Sequence, residues 1–130
     1  MKKLILAVFA TALTFTLTAC GSTGAVTTMN VNDFAKKITD KSVVLVDVRT
    51  PAEFAAGHIA GAINIDFESG NFSADIASLD KSKSYAVYCR SGNRSGQATA
   101  LMAKSGFTSI FNLDGGLINW QGAGMSVVTN

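Results

Sequence analysis

Tyr85-Ala86-Val87-Tyr88-Cys89-Arg90-Ser91-Gly92-Asn93-Arg94-Ser95 is the stretch on which the fold turns. Its first four residues favour an extended strand. Gly92 and Asn93 then suit a tight loop. From Ser95 to Lys104 the apolar residues Ala98, Leu101 and Met102 fall at helical spacing, and Gly106 stands where a helix cap belongs. Strand, short loop and helix in that order make the repeating unit of a parallel α/β sheet.

The same alternation extends in both directions. Upstream, Val31, Phe34, Ala35 and Ile38 put one apolar face on a helix over 31–39, which Asn32 is placed to cap. The unbroken run Val43-Val44-Leu45-Val46 predicts a central strand covered on both faces. Thr50 and Pro51 open a short helix through Ala56, and Gly57 ends it. A short strand follows over 62–65, then a helix over 72–79. Downstream, a strand lies within 107–113, and Gly115-Gly116 turns into a helix around Leu117 to Trp120. The expected fold is a small three-layer α/β/α domain with a mostly parallel central sheet, occupying 30–130. Ligands in such sheets sit beyond the carboxyl ends of the strands, where the loop after Tyr88 falls.

The chain's first residues read differently. Met1-Lys2-Lys3 precedes a 16-residue apolar and threonine-bearing run, 4–19, which is short for a membrane span. This predicts a signal peptide over 1–19. Leu17-Thr18-Ala19-Cys20 resembles the lipobox of bacterial lipoproteins, which implies lipidation of Cys20 and contact with a membrane surface. Residues 20–29 then form the lipidated N-terminus and a flexible tether. The expected location is extracytoplasmic, lipid-anchored to the cell envelope. Gly21 and Ser22 point to the outer membrane where the organism has one.

Loss of Lys2 and Lys3 leaves nine basic against nine acidic residues, so the sequence pI near 8.6 gives no reason to expect nucleic acid. Of the two cysteines, lipidation would consume Cys20 and leave Cys89 without a partner. His58 is the single histidine, and a metal site needs three or four ligands, so no metal or cofactor is expected. His58 reads as a hydrogen-bonded structural residue and Trp120 as core. Asp47 is expected to pair internally with Arg49 or a loop amide, and Glu53 to be a helix-face or first-turn charge.

At Cys89 the chemistry is more pointed. The unpaired N–H groups at a helix start, together with a loop curling from Arg90 to Ser95, would form a cradle for an anion. Positive potential lowers a thiol's pKa from roughly 8.5 and leaves it nucleophilic without a separate base. Arg90 and Arg94 add fork-shaped donors suited to an oxyanion.

Three segments carry a family resemblance. They are 89–94, Val46-Asp47-Val48-Arg49 followed by 53–64 (Glu-Phe-Ala-Ala-Gly-His-Ile-Ala-Gly-Ala-Ile-Asn), and Gly115-Gly116-Leu117-Ile118-Asn119-Trp120. In order and spacing they closely resemble a single-domain rhodanese, a sulfurtransferase, over about 30–125. Ala60 stands where the family often has proline. The resemblance implies that Cys89 is the catalytic residue and carries a persulfide. Arg90, Ser91, Gly92, Asn93, Arg94 and Ser95 would bind substrate, while Asp47, Arg49 and His58 would be structural or near-site. Thiosulfate or another sulfane donor would supply the sulfur, and cyanide or a thiol would accept it. The domain is expected to act as a monomer.

Two other readings remain open. Phosphatases and arsenate reductases of related architecture place five residues between cysteine and arginine, against four between Cys89 and Arg94. A membrane-tethered sulfur carrier or binding module without efficient turnover would need the same cysteine.

Overall fold

The structure is a computed structural model, and it describes residues 24–130. The signal peptide over 1–19 and the lipidation site at Cys20 lie outside the described residues. In chain order the elements are β1 (Val26–Met29), α1 (Val31–Lys37), β2 (Val43–Asp47), α2 (Pro51–Ala56) and β3 (Ile63–Asn64). They continue as α3 (Phe72–Ala77), β4 (Ser84–Tyr88), α4 (Asn93–Lys104), β5 (Ile110–Leu113) and α5 (Gly116–Gly122). The five strands form one sheet in the order β1-β5-β4-β2-β3, and every neighbouring pair is parallel.

The side-chain alternation of a strand builds the three layers. Tyr85, Val87 and Cys89 point to one face with Val46 and Val48, where Phe72 and Ile76 of α3 and Ala98 and Met102 of α4 cover them. Ala86 and Tyr88 point to the other face with Leu45, against Phe34 of α1 and Leu117 and Trp120 of α5. β4 is therefore apolar on both sides and occupies the middle of the sheet, and the apolar run of β2 lies beside it. Trp120 fills core as expected and donates its ring N–H to the Ser126 carbonyl at 3.0 Å.

Several boundaries depart from the sequence reading. Residues 26–29, expected in the tether, form the edge strand β1 and pair in register with Ile110 to Leu113. Val26 and Met29 pack against the two core clusters, so the segment alternates between faces, a pattern its threonines concealed. Asn30, rather than Asn32, caps α1, accepting from Asp33 N–H at 2.9 Å. α3 stops at Ala77, and α4 begins at Asn93 after Gly92 in the left-handed region. The C-terminal end of α4 follows the cap chemistry: Gly106 N–H bonds the Ala103 carbonyl at 3.2 Å and Phe107 N–H the Met102 carbonyl at 3.2 Å.

The carboxyl end of β2 carries a buried ion pair. Asp47 is 0 % and Arg49 5 % exposed, with Arg49 Nη2 at 2.6 Å from Asp47 Oδ2. Arg49 Nε also donates to Asp47, and Nη2 donates to the Gly57 carbonyl at 2.7 Å. Asn64 Nδ2 donates to the carbonyls of both Asp47 and Arg49, tying β3 to the same corner. Removing the cation would leave a buried carboxylate uncompensated. Arg49→Met should therefore cost about 3–5 kcal/mol in a urea unfolding titration. A loss under about 1 kcal/mol would mean that the pair does not anchor this corner.

Candidate active site

The loop after β4 is held from outside by its backbone. Leu117 N–H donates to the Cys89 carbonyl at 2.8 Å, and Ile118 N–H to the Arg90 carbonyl at 3.0 Å. The first turn of α5 thus grips the first two loop carbonyls. The approach is so close that a Cβ on Gly116 would lie 2.5 Å from the Cys89 carbonyl oxygen and 2.7 Å from that of Arg90. With φ of +58° as well, Gly116 admits no side chain.

Inside the loop, Gly92 N–H points at Cys89 Sγ from 3.0 Å. Gly92 reaches this position with φ of +99°. Burial of Cys89 pushes its thiol pKa up. Hydrogen bonds from the Ser95 hydroxyl and from the N–H groups of Ser95, Gly92 and Ser91 outweigh it, and the net direction is down. Cys89 is 0 % exposed, so a reagent must enter the loop to reach it.

The two loop arginines have different surroundings. Arg90 is exposed and makes no ion pair among the described residues. It lines a groove of about 370 Å³ together with Arg49, Glu53, Ala56, Leu117, Ile118 and Gln121. Arg94, expected to face an oxyanion, is turned to Glu53: Nη1 to Oε2 is 2.8 Å and Nη2 to Oε1 is 2.9 Å. Glu68 adds a longer contact at 3.4 Å.

Glu53 is more than the helix-face charge expected of it. The Arg94 hydrogen bonds pull its pKa down against partial burial, aided by Thr50, to about 2. Folded pKa below unfolded pKa means that the pair's stabilisation is complete above about pH 4.5 and is lost as pH falls towards 2. The same carboxylate closes the capping box of α2 with the Thr50 backbone N–H.

Of the remaining sequence candidates, Ser91 and Asn93 are exposed on the loop, and Asn93 accepts from Gln97 at 2.7 Å. Asp47 and Arg49 pair beneath the loop, since Asp47 is in register with Tyr88. The Tyr88 hydroxyl oxygen accepts from Ile59 N–H at 3.0 Å, and burial, reinforced by Asp47, pushes its pKa up. His58 donates from Nδ1 to the Phe54 carbonyl at 2.8 Å and stacks on the Phe54 ring at 3.7 Å. Both contacts are internal to the scaffold. Among the described residues no group of three or more histidine, cysteine or carboxylate side chains could hold a metal ion.

The fold and site define a parallel α/β domain with a cradled, buried cysteine at the carboxyl end of its middle strand. Comparison with known proteins gives that class its family. The rhodanese-like domain model matches residues 30–123. The chain is 38 % identical over 88 residues to a sulfurtransferase of Allochromatium vinosum, spanning 68 % of this chain and 80 % of that protein. It is equally identical over 88 residues to the thiosulfate sulfurtransferase GlpE of Pseudomonas aeruginosa, spanning 67 % and 77 %. A crystal structure of a rhodanese-related protein from Thermoplasma volcanium superposes with a TM-score of 0.70 at 33 % identity, covering 79 % of this chain and 98 % of that one. The chain belongs to the rhodanese-like family, among relatives named as sulfurtransferases.

The hydrogen bonds to Cys89 Sγ make its titration a test of the cradle. Alkylation by iodoacetamide should rise with a midpoint below the roughly 8.5 of a free thiol. Ser95→Ala should move that midpoint up by removing the hydroxyl donor. A wild-type midpoint at or above the free-thiol value would mean that burial dominates.

Proposed function

We propose that this protein is a persulfide-forming sulfurtransferase in which Cys89 accepts a sulfane sulfur and passes it on. The observation that carries the reading is the Gly92 N–H directed at Cys89 Sγ from 3.0 Å, beside Ser91 and Ser95, which help to lower the thiol pKa. With thiosulfate as donor, the Cys89 thiolate attacks the outer sulfur. A sulfur–sulfur bond forms at Cys89, the bond to the sulfonate sulfur breaks, and sulfite leaves with the electron pair. An acceptor, cyanide or a thiol, then attacks the outer sulfur of the persulfide and restores the thiolate. No external oxidant is required, and the transfer is covalent catalysis.

The cradle serves both halves of the cycle. The same N–H groups that stabilise the thiolate can hold the persulfide anion after transfer, and Arg90 is free to meet an anionic donor or departing sulfite. The groove bordered by Arg90 lies beside the loop, where an anionic donor would meet that side chain first. Phosphoryl chemistry is less well served. Only four residues separate Cys89 from Arg94, and the Arg94 guanidinium is already engaged by Glu53. Ser91, Gly92 and Ser95 act as thiolate and persulfide donors in this reading. Asp47, Arg49 and His58 hold the floor.

Incubation with thiosulfate should raise the intact mass by one sulfur, and Cys89→Ala should abolish both that gain and cyanide-dependent thiocyanate release. A mutant that still gains the sulfur would remove Cys89 as acceptor. Wild type that exchanges sulfur with thiols but turns over cyanide only feebly would make the protein a carrier rather than an efficient enzyme.

The proposed setting is the cell envelope, with Cys20 lipidated after removal of 1–19 and the outer membrane the expected home where one exists. No described helix is long and apolar enough to cross a membrane. Attachment in this reading therefore depends on the acyl chains. Cys20→Ser should move the protein from the membrane fraction to the soluble fraction of a cell lysate. A mutant still in the membrane fraction would overturn the lipoprotein assignment.

A further inference from the structure

Glu53 stands where three structural elements meet. Its backbone belongs to the first turn of α2, and its carboxylate accepts from Thr50 N–H at 3.1 Å and from the Thr50 hydroxyl at 2.9 Å. The same carboxylate takes both Nη atoms of Arg94, in the first turn of α4, at 2.8 and 2.9 Å. It also lines the groove that Arg90 borders. The bidentate geometry fixes the guanidinium, and only a fifth of the Arg94 side chain is exposed. Glu68 reaches Arg94 as well, but at 3.4 Å from a side chain that is 56 % exposed, so its hold is the weaker.

The electrostatic consequence concerns the mouth of the loop. Taken from sequence, Cys89 to Arg94 offers two cations to an incoming anion. In the folded chain the charge of Arg94 is cancelled by Glu53, that of Arg49 by Asp47, and Arg90 alone is uncompensated at the groove. Removing the Glu53 charge would return one positive charge to the mouth.

We propose that Glu53 is a specificity-determining residue: by neutralising Arg94 beside the groove, it sets how strongly Cys89 favours anionic over neutral reaction partners. It need not touch the reacting atoms to do so. The inference deepens the sulfurtransferase reading and relies on Cys89 as the nucleophile, but its test can be read without sulfur transfer.

Iodoacetate and iodoacetamide supply that test, because they are similar in size and differ by one negative charge. Each forms a bond from Cys89 Sγ to its methylene carbon and releases iodide. The ratio of their rates therefore reports the potential at the sulfur, while a change in thiolate content moves both rates together. Glu53→Gln keeps an oxygen for the Thr50 cap and should raise the iodoacetate-to-iodoacetamide ratio roughly fivefold at low salt. The increase should shrink as salt is added. Arg94→Gln should lower the ratio. The double variant Glu53→Gln/Arg94→Gln should return near the wild-type ratio, because the pair is removed with its net charge.

The KM for thiosulfate should fall in Glu53→Gln without a matching change in kcat. The inference is overturned if the alkylation ratio is unchanged in Glu53→Gln, or if both rates shift together as a displaced loop would make them. Failure of the wild type to form a persulfide, with the ratio shift present, would sink the sulfurtransferase reading and leave the assignment of Glu53 standing.

Discussion

The hydrogen bonds from Leu117 and Ile118 N–H to the carbonyls of Cys89 and Arg90 are the constraint on which the site depends. A trans peptide sends its carbonyl and its N–H in opposite directions. Pulling the Arg90 carbonyl out towards α5 therefore turns the Ser91 N–H the other way, towards the sulfur it helps to stabilise. Gly116 is the residue that permits this, because nothing larger fits between α5 and the loop. The cradle is thus shaped from two sides, by the first turn of α5 outside and by Gly92 and Ser95 inside.

Cys89 shows how directional donors can override burial. Taking a thiolate out of water disfavours it, and the low exposure at the end of β4 works in that sense. The Ser95 hydroxyl and the loop N–H groups reverse the balance. Arginine charge is organised separately. Arg49 is spent on Asp47 in the floor and Arg94 on Glu53 at the rim, while Arg90 stays in solvent.

The fold was legible because its signals were local. The apolar run 43–46, the aromatic strand 85–88 and the caps at Thr50 and Gly106 each state their role in a few residues. Strand β1 was hidden because a four-residue edge strand with two central threonines, Val26-Thr27-Thr28-Met29, shows no alternation and has the composition of a tether. The cysteine and its loop were equally visible. The partner of Arg94 was not, since Glu53 lies 41 positions away and meets it only through the tertiary fold. Likewise the Gly115-Gly116 pair read as a turn, and its grip on the loop carbonyls required the packing of α5 beside β4.

Sheet polarity gives the molecule a front and a back. All five strands run the same way, so Val26 enters at their amino ends while Cys89 leaves at their carboxyl ends. A strand of four or five residues separates those rims by roughly 15 Å. Anything fastened to the chain ahead of β1 consequently holds the domain by its back. The cysteine loop opens at the opposite rim from the one at which the chain enters β1.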